Sequence, residues 1–258
     1  MSGMSRCRPD QVTAMRLNPS LDVLAARLQR YGGLPPQAHT ALCEMPSTFR
    51  TLEPGSYIVR EADAPVLCAV LLSGFAYRQK VTGRGDRQIV SLCVPGDIVD
   101  LQNLYLDLAD HSVQMLTAGD AVTFRRDALQ TLACQEPSIG RAIMIEALIE
   151  ASILREWVTN IGQRNAKARV AHLICESAVR LSATSPSDTF EYDLPMNQEH
   201  LGDALGLTAV HVNRMLKALQ SDELIKQLGR FLSVPSMVAL MDAGEYNPRY
   251  LHLPQANF

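Results

Sequence analysis

The sequence predicts an α+β protein in three parts. These are an N-terminal antiparallel β-roll of the double-stranded β-helix type, a long helix, and a C-terminal winged helix-turn-helix. Three observations predict this order. Short runs of alternating polarity fill residues 48–126, and a proline-free stretch with helically spaced apolar residues covers 138–162. A compact helix–turn–helix–hairpin pattern then follows the helix at 166–181.

Length and composition allow two ordinary domains. The chain has 258 residues, of which 47% are hydrophobic and 20% charged, as in globular proteins and unlike disordered ones. The formal net charge is −3, so bulk charge does not favour nucleic acid. A DNA-binding surface would have to be a local basic patch. We divide the chain into a flexible tail (1–18), a sensor roll (19–136), a long helix (137–163), a winged helix-turn-helix (164–241) and a C-terminal tail (242–258).

The cysteines and the apolar runs bear on cofactor and compartment. No two of the six cysteines lie within four residues of each other, so close-pair zinc and iron–sulfur motifs are missing. We interpret them as buried reduced thiols. The first 17 residues are polar, and the longest apolar run, Val66–Leu72, is too short to cross a bilayer. We therefore expect a cytoplasmic protein without a membrane partner.

The roll is predicted from alternation and from turn signals. Phe75, Tyr77 and Val81 share one face of a strand pattern, and Arg78 and Lys80 share the other. Turn signals recur at Pro54-Gly55, Ser73-Gly74, Gly83–Asp86, Pro95-Gly96-Asp97 and Gly119-Asp120. Helices are expected to precede the roll at 21–29 and to follow it at 126–134.

The long helix carries apolar residues on more than one face, so it needs more than one cover. One cover is the roll. The other could be the same helix of a second subunit, as in a two-stranded coiled coil, although a single buried core helix remains an alternative. The expected dimerisation residues are Ile139, Ile143, Ile153, Trp157 and Ile161.

The helix-turn-helix is marked by caps and by core spacing. Asn197 suits the N-cap of a first helix, Gly206 can adopt the left-handed conformation that ends it, and Thr208 can cap a second helix over 208–220. In the second helix the inward positions are Val212, Met215, Leu216 and Leu219.

The outward face of this second helix suits the major groove. Ala209 and Val210 are short and could meet a thymine methyl, Asn213 can bond an adenine edge, and Arg214 can grip guanine O6 and N7. His211 and Lys217 are better placed for phosphates. A Gly-turn hairpin follows as a wing, with Lys226 and Arg230 as phosphate contacts. The predicted DNA-binding residues are Gln198, Thr208, Ala209, Val210, His211, Asn213, Arg214, Lys217, Lys226 and Arg230.

Two other interpretations explain parts of the sequence. An ordinary amphipathic helix with a solvated face would explain 208–220 without DNA. A metal-dependent cupin-like enzyme, or a ligand-binding module, would explain the roll. Such an enzyme needs clustered His and carboxylate ligands, but the roll offers only His111. The wing and Arg214 favour a DNA-binding regulator that is not an enzyme.

The order of roll, long helix and winged helix-turn-helix resembles the Crp/Fnr family of bacterial transcription regulators. The stretches that carry the resemblance are Leu205–Thr208, Asn213-Arg214 and Pro95-Gly96-Asp97. The resemblance implies a homodimer with an N-terminal sensing domain and a DNA-binding domain that reads a two-fold symmetric site. It also implies RNA polymerase as a partner if the protein is an activator.

The chain departs from this family in two respects. Val210 stands where many members carry a glutamate that reads a base edge, so we expect a different operator. The stretch 98–112 lacks the arginine that holds a cyclic nucleotide phosphate, and it contains Asp100, Asp107 and Asp110. Cys7 stands alone, unlike the cysteine cluster of iron–sulfur members. No cofactor is predicted, neither cyclic nucleotide nor iron–sulfur cluster is expected, and His111 is interpreted as a surface hydrogen-bonding group.

Overall fold

The computed structural model describes residues 21–181 and 189–253. The predicted N-terminal tail, with Cys7, and the polar loop 182–188 lie outside the described residues. The α+β architecture and its three-part order are confirmed.

The roll is built from two antiparallel sheets preceded by two helices. The helices are α1 (Asp22–Gly32) and α2 (Pro36–Cys43). The strands are β1 (Ser47–Leu52), β2 (Tyr57–Val59), β3 (Leu67–Leu71), β4 (Ala76–Val81), β5 (Arg87–Cys93), β6 (Ser112–Met115) and β7 (Gly119–Arg125). One sheet has the order β1-β7-β3 and the other β2-β6-β4-β5, with apolar residues of both sheets packed between them. A 3₁₀ helix, Leu101–Leu104, lies between β5 and β6.

Helix α3 (Arg126–Gln135) leads into the long helix α4 (Pro137–Gln163), which has 27 residues. The predicted helix is confirmed, but the predicted dimer contacts require correction. Ile139, Ile143, Ile153 and Trp157 are buried within the protomer, and Ile161 is half-buried beside Gly206. The first half of α4 packs on α1 and α3, and its second half packs on the C-terminal domain, so these faces already have covers.

A different face of α4 is left uncovered by its own chain. Leu148 is 60% exposed and Val158 is 73% exposed. The uncovered positions recur at spacings of three and four residues, as the seam of a coiled coil does. We call this set, in which Ala151 is half-buried and the others are exposed, the α4 stripe: Met144, Ala147, Leu148, Ala151, Leu154 and Val158.

The C-terminal domain begins with α5 (Ala166–Leu181), whose bounds match the predicted helix. The remaining elements are β8 (Phe190–Asp193), α6 (Gln198–Leu205), α7 (Ala209–Ser221), β9 (Lys226–Leu228), β10 (Phe231–Val234), α8 (Met237–Ala243) and a 3₁₀ helix, Pro248–Leu251. The expectation of a tail from residue 242 is wrong as far as residue 253. Tyr246 and Leu251 are buried because they pack into the same core as α5.

The free thiols are distributed over several environments. Cys68, Cys93 and Cys175 are buried as expected, whereas Cys43 is half-buried and Cys134 is exposed. Burial raises the pKa of the Cys93 thiol to about 11, so this thiol stays protonated at neutral pH. Across the described parts of the chain, each helix is too short or too polar to span a membrane.

Candidate nucleic-acid interface

The turn between α6 and α7 is fixed by capping and by two glycines. The Asn197 Oδ1 atom accepts a hydrogen bond from the backbone N–H of His200 at 2.8 Å, which caps α6. Gly206 ends the helix in the left-handed conformation, with φ of 64°, and donates its N–H to the carbonyl of Gly202. The predicted N-cap and stop are confirmed, and they set the angle at which α7 leaves the turn.

Helix α7 has one buried and one exposed face. The Thr208 hydroxyl accepts a hydrogen bond from the His211 N–H at 3.2 Å, as expected of an N-cap. Val212, Leu216 and Leu219 are buried in the core shared with α5, and Met215 is partly buried. Packing of this apolar face holds α7 against the domain and turns its other face to solvent.

The exposed face of α7 displays the residues that the sequence predicted. Val210 is 82% exposed, and Arg214 and Lys217 are exposed one and two turns further on. Ala209, His211 and Asn213 are half-buried on the flanks of this face. The structure therefore presents short side chains near the helix start and donors after them, as entry into a major groove requires.

The wing contains one more strand than the sequence predicted. Strands β8, β10 and β9 form an antiparallel sheet in that order, and Gly229, with φ of 62°, makes the predicted hairpin turn. The extra strand is β8, in which aromatic residues alternate with acidic ones. This alternation covers only four positions, so it is too short to predict a strand from the sequence. Lys226 and Arg230 lie exposed on this wing.

A groove of about 480 Å³ separates the wing from the starts of α6 and α7. Its lining brings Gln198, Ala209 and Arg230 together, along with the backbone of Gly229. The positive ends of two helix dipoles and one guanidinium therefore border the same groove, while Glu199 adds one negative charge. This arrangement suits a phosphate backbone running past the groove.

The cations of the interface are available for a partner. Among residues 21–181 and 189–253, none of Arg214, Lys217, Lys226 and Arg230 forms an ion pair. By contrast, Lys167 at the start of α5 is paired with Asp222, the residue that follows α7. The interface thus carries a local positive charge although the chain has a net charge of −3.

The roll of the same protomer holds α6 in place. Arg87 of β5 bonds Asp203 of α6 through Nε and Nη2, each at 2.7 Å from Oδ2. Beside this pair, the Gln88 side chain donates to the carbonyl of Ala204 at 3.4 Å. These contacts couple the orientation of the helix-turn-helix to the β4–β5 hairpin.

A second feature is a cavity of about 610 Å³ between the roll and α4. Met144, Ala147, Ala151 and Leu154 of the α4 stripe line one wall, and Arg78 and His111 are among the residues of the other. Arg78 is already engaged, because its guanidinium donates to the carbonyls of Val99 and Ile98 and to Ser91, and pairs with Glu150. The cavity therefore has an apolar wall on one side and, on the other, a guanidinium group that is already bonded within the protein.

His111 differs from the expectation of a surface group. Its side chain is only 12% exposed, and its Nδ1 lies 2.6 Å from the Asp110 carboxylate while Gln102 contacts the ring. Burial lowers the pKa of His111 below its usual value, so the ring is neutral at pH 7. Within the described chain no group of three metal-ligating side chains is assembled. The absence of cyclic nucleotide binding stays a prediction.

Comparison with protein families matches both domains of the chain. Residues 49–136 match the cyclic nucleotide-binding domain, and residues 168–243 match the Crp-like helix-turn-helix domain. These two regions contain the roll and the interface described above.

Similar proteins are regulators rather than enzymes. The chain is 27% identical over 195 residues to the transcriptional activator protein FnrL of Cereibacter sphaeroides, covering 74% of this chain and 77% of that protein. It is 29% identical over 195 residues to a probable transcriptional activator of Rhizobium leguminosarum bv. viciae, covering 74% and 79%. The solved structure of FixK2 from Bradyrhizobium japonicum shares the fold, with a TM-score of 0.69 and 20% identity over 77% of this chain and 98% of that one. The chain belongs to the Crp/Fnr family of DNA-binding transcription regulators.

Proposed function

We propose that the protein regulates transcription as a homodimer that places α7 of each protomer in the major groove of a two-fold symmetric operator. The observation that carries this proposal is the exposed face of α7. The helix is capped at Thr208 and packs on its domain through a buried apolar face. Its other face carries Asn213, Arg214 and Lys217. A helix that only packed against its own domain would not need this series of donors.

Each donor has a chemical role in this arrangement. Arg214 reads a guanine through bidentate hydrogen bonds to O6 and N7, and Asn213 bonds an adenine edge. The phosphate contacts come from His211, Lys217 and Lys226, together with Gln198 and Arg230, which line the groove between the wing and the starts of α6 and α7. Base edges would then supply specificity, and phosphates would fix the register.

The experiment compares Arg214→Ala with Arg249→Ala. Both variants remove an exposed guanidinium from the same domain, but Arg249 lies in the C-terminal 3₁₀ helix rather than on α7. An operator is first selected from random duplexes with the intact protein. We expect Arg214→Ala to lose about 1–3 kcal/mol of operator binding and its preference at one base pair. Arg249→Ala is expected to bind as the parent does. Unchanged affinity and selectivity of Arg214→Ala would contradict the docking.

The homodimer is supported by the α4 stripe. Met144, Ala151 and Val158 recur at seven-residue spacing, with Ala147 and Leu154 at the intervening core positions and Leu148 beside them. This is the a/d pattern of a two-stranded coiled coil. A two-fold axis along α4 would place the two α7 helices in successive major grooves, whose half-sites lie about 34 Å apart.

The roll is the natural place for an effector to act on this dimer. Four residues of the α4 stripe also line the cavity between roll and helix, so a ligand bound there would touch the proposed interface. Such a ligand changes DNA binding only if it has different affinities for two arrangements of α4.

A further inference from the structure

Val210 is an apolar side chain placed where the proposed function needs contact with bases. It is the second residue of α7, and 82% of it is exposed to solvent. Every other apolar residue of α7 longer than alanine is at least partly buried in the domain core. Val210 therefore contributes little to the fold, and it is free to contact a partner.

The chemistry of valine restricts what that contact can be. Its side chain neither donates nor accepts a hydrogen bond. In the major groove, base edges present hydrogen-bond donors and acceptors, and the apolar group among them is the C5 methyl of thymine. A valine pressed against a polar edge would displace water without replacing its hydrogen bonds, which costs free energy. When valine packs on a thymine methyl group, both apolar surfaces are removed from water, which strengthens binding.

We propose that Val210 selects thymine at one position of each half-site by packing on the C5 methyl group. This inference rests on the proposed function, because it requires α7 to lie in the major groove. Ala209 precedes Val210 and has a short side chain, so the start of α7 can approach the bases closely.

The position of that thymine follows from the helix geometry. Val210 lies four residues before Arg214 on the same face of α7, a separation of about 6 Å along the helix axis. Base pairs are stacked about 3.4 Å apart. The thymine that Val210 contacts should therefore lie within about two base pairs of the guanine that Arg214 reads.

Replacing thymine by deoxyuridine tests this contact directly. Deoxyuridine pairs with adenine through the same hydrogen bonds and lacks only the methyl group. Each thymine of the selected operator is replaced in turn, symmetrically in both half-sites, and affinity is measured for the wild-type protein. We expect one position to lose about fourfold in affinity per half-site, the effect of one methyl group no longer buried.

Protein variants link that position to Val210. In Val210→Ala, deoxyuridine at that position should cause almost no loss of affinity, because the side chain that contacts the thymine methyl group is gone. The change is at an exposed helical position and alanine favours helix, so folding is retained. Val238→Ala removes the same side chain, 71% exposed, from α8, and this control should keep the full penalty.

The outcomes separate the inference from the function on which it rests. If the wild-type protein shows no sequence preference, the proposed function itself fails. If it binds a specific operator but no thymine responds to deoxyuridine, Val210 does not read a methyl group. The same conclusion follows if the penalty persists undiminished in Val210→Ala.

Discussion

At the scale of single residues, the absence of a side chain at Gly202 decides the helix-turn-helix angle. A Cβ atom at this position would lie 2.5 Å from the carbonyl oxygen of Leu207, which is backbone and cannot rotate away. The same glycine carbonyl accepts the N–H groups of Gly206 and Leu207, so the turn folds tightly over it. Gly202 was not singled out from the sequence because it lies inside a helical pattern, where glycine has no special conformation.

We expect Gly202→Ala to destabilise the protein by about 1–3 kcal/mol, since the turn must open to relieve the overlap. Gly162→Ala is the control, because its Cβ would meet open space near the end of α4. Alanine there should stabilise the helix by about 0.4–1 kcal/mol. Urea unfolding followed by circular dichroism measures both. Equal stability of the two variants would show that the turn is looser than the 2.5 Å approach implies.

At the scale of elements, α4 shows why helical spacing alone does not say which face of a helix its own chain leaves uncovered. The sequence established that α4 is apolar on several faces, but not which face meets which partner. Trp157 illustrates this, because its Nε1 donates to Glu176 of α5 and its ring is buried within the protomer. The faces of α4 directed at α1 and α5 are covered by the same chain, and the α4 stripe is left uncovered.

A charge placed on the α4 stripe should weaken the proposed homodimer. In Leu148→Glu, each protomer would bring one carboxylate to the edge of the apolar seam without a partner for it, which is costly. We expect at least about a tenfold weaker dimer, or 1.4 kcal/mol, by sedimentation equilibrium. Gln163→Glu adds the same charge at an exposed position off the stripe and should leave the dimer intact. A wild-type monomer at micromolar concentration, or an unaffected Leu148→Glu dimer, would exclude this interface.

At the scale of the whole molecule, a buried ion network joins the roll to the DNA-binding domain. Asp97, at the turn after β5, is 4% exposed and pairs with Arg180 of α5 and Arg27 of α1. Arg27 also bonds Glu146 of α4, and Arg180 bonds Glu176. Burial alone would raise the pKa of Asp97, but the guanidinium groups of Arg180 and Arg27 outweigh it and hold the pKa below its usual value.

We expect Asp97→Asn to destabilise the protein by about 3–5 kcal/mol, because it leaves buried guanidinium charge without its partner. The depressed folded-state pKa means that this stabilisation is present above about pH 4, the unfolded value, and is lost as the pH falls through the folded value. Fluorescence of Trp157, which lies at the domain junction, reports the unfolding alongside circular dichroism.

The control for this variant is Asp127→Asn, which breaks an exposed pair with Arg125. It should leave the unfolding curve unchanged at neutral pH, since exposed pairs contribute little. If Asp97→Asn and Asp127→Asn unfolded at the same urea concentration, the buried ion network would contribute nothing to the stability of the protein.

Local patterns predicted much of the fold and most of the candidate interface. Helix α5 was predicted at its observed bounds, and the caps at Asn197 and Thr208 and the stop at Gly206 were placed correctly. These features depend on hydrogen bonds and backbone preferences within a few residues. Strand β8 and the packed segment after α8 were missed, since each is short and its order depends on distant partners.

The sequence by itself determined the order of the elements, the family, and the side chains that α7 turns outward. Periodicity and capping depend on residues close together in the sequence, so they can be recognised from a single sequence. Only the tertiary structure decided which face of α4 its own chain leaves uncovered, that His111 is largely shielded from solvent, and that the C-terminal segment packs on α5. Those properties depend on which surfaces meet, and burial is settled by residues far apart in the sequence.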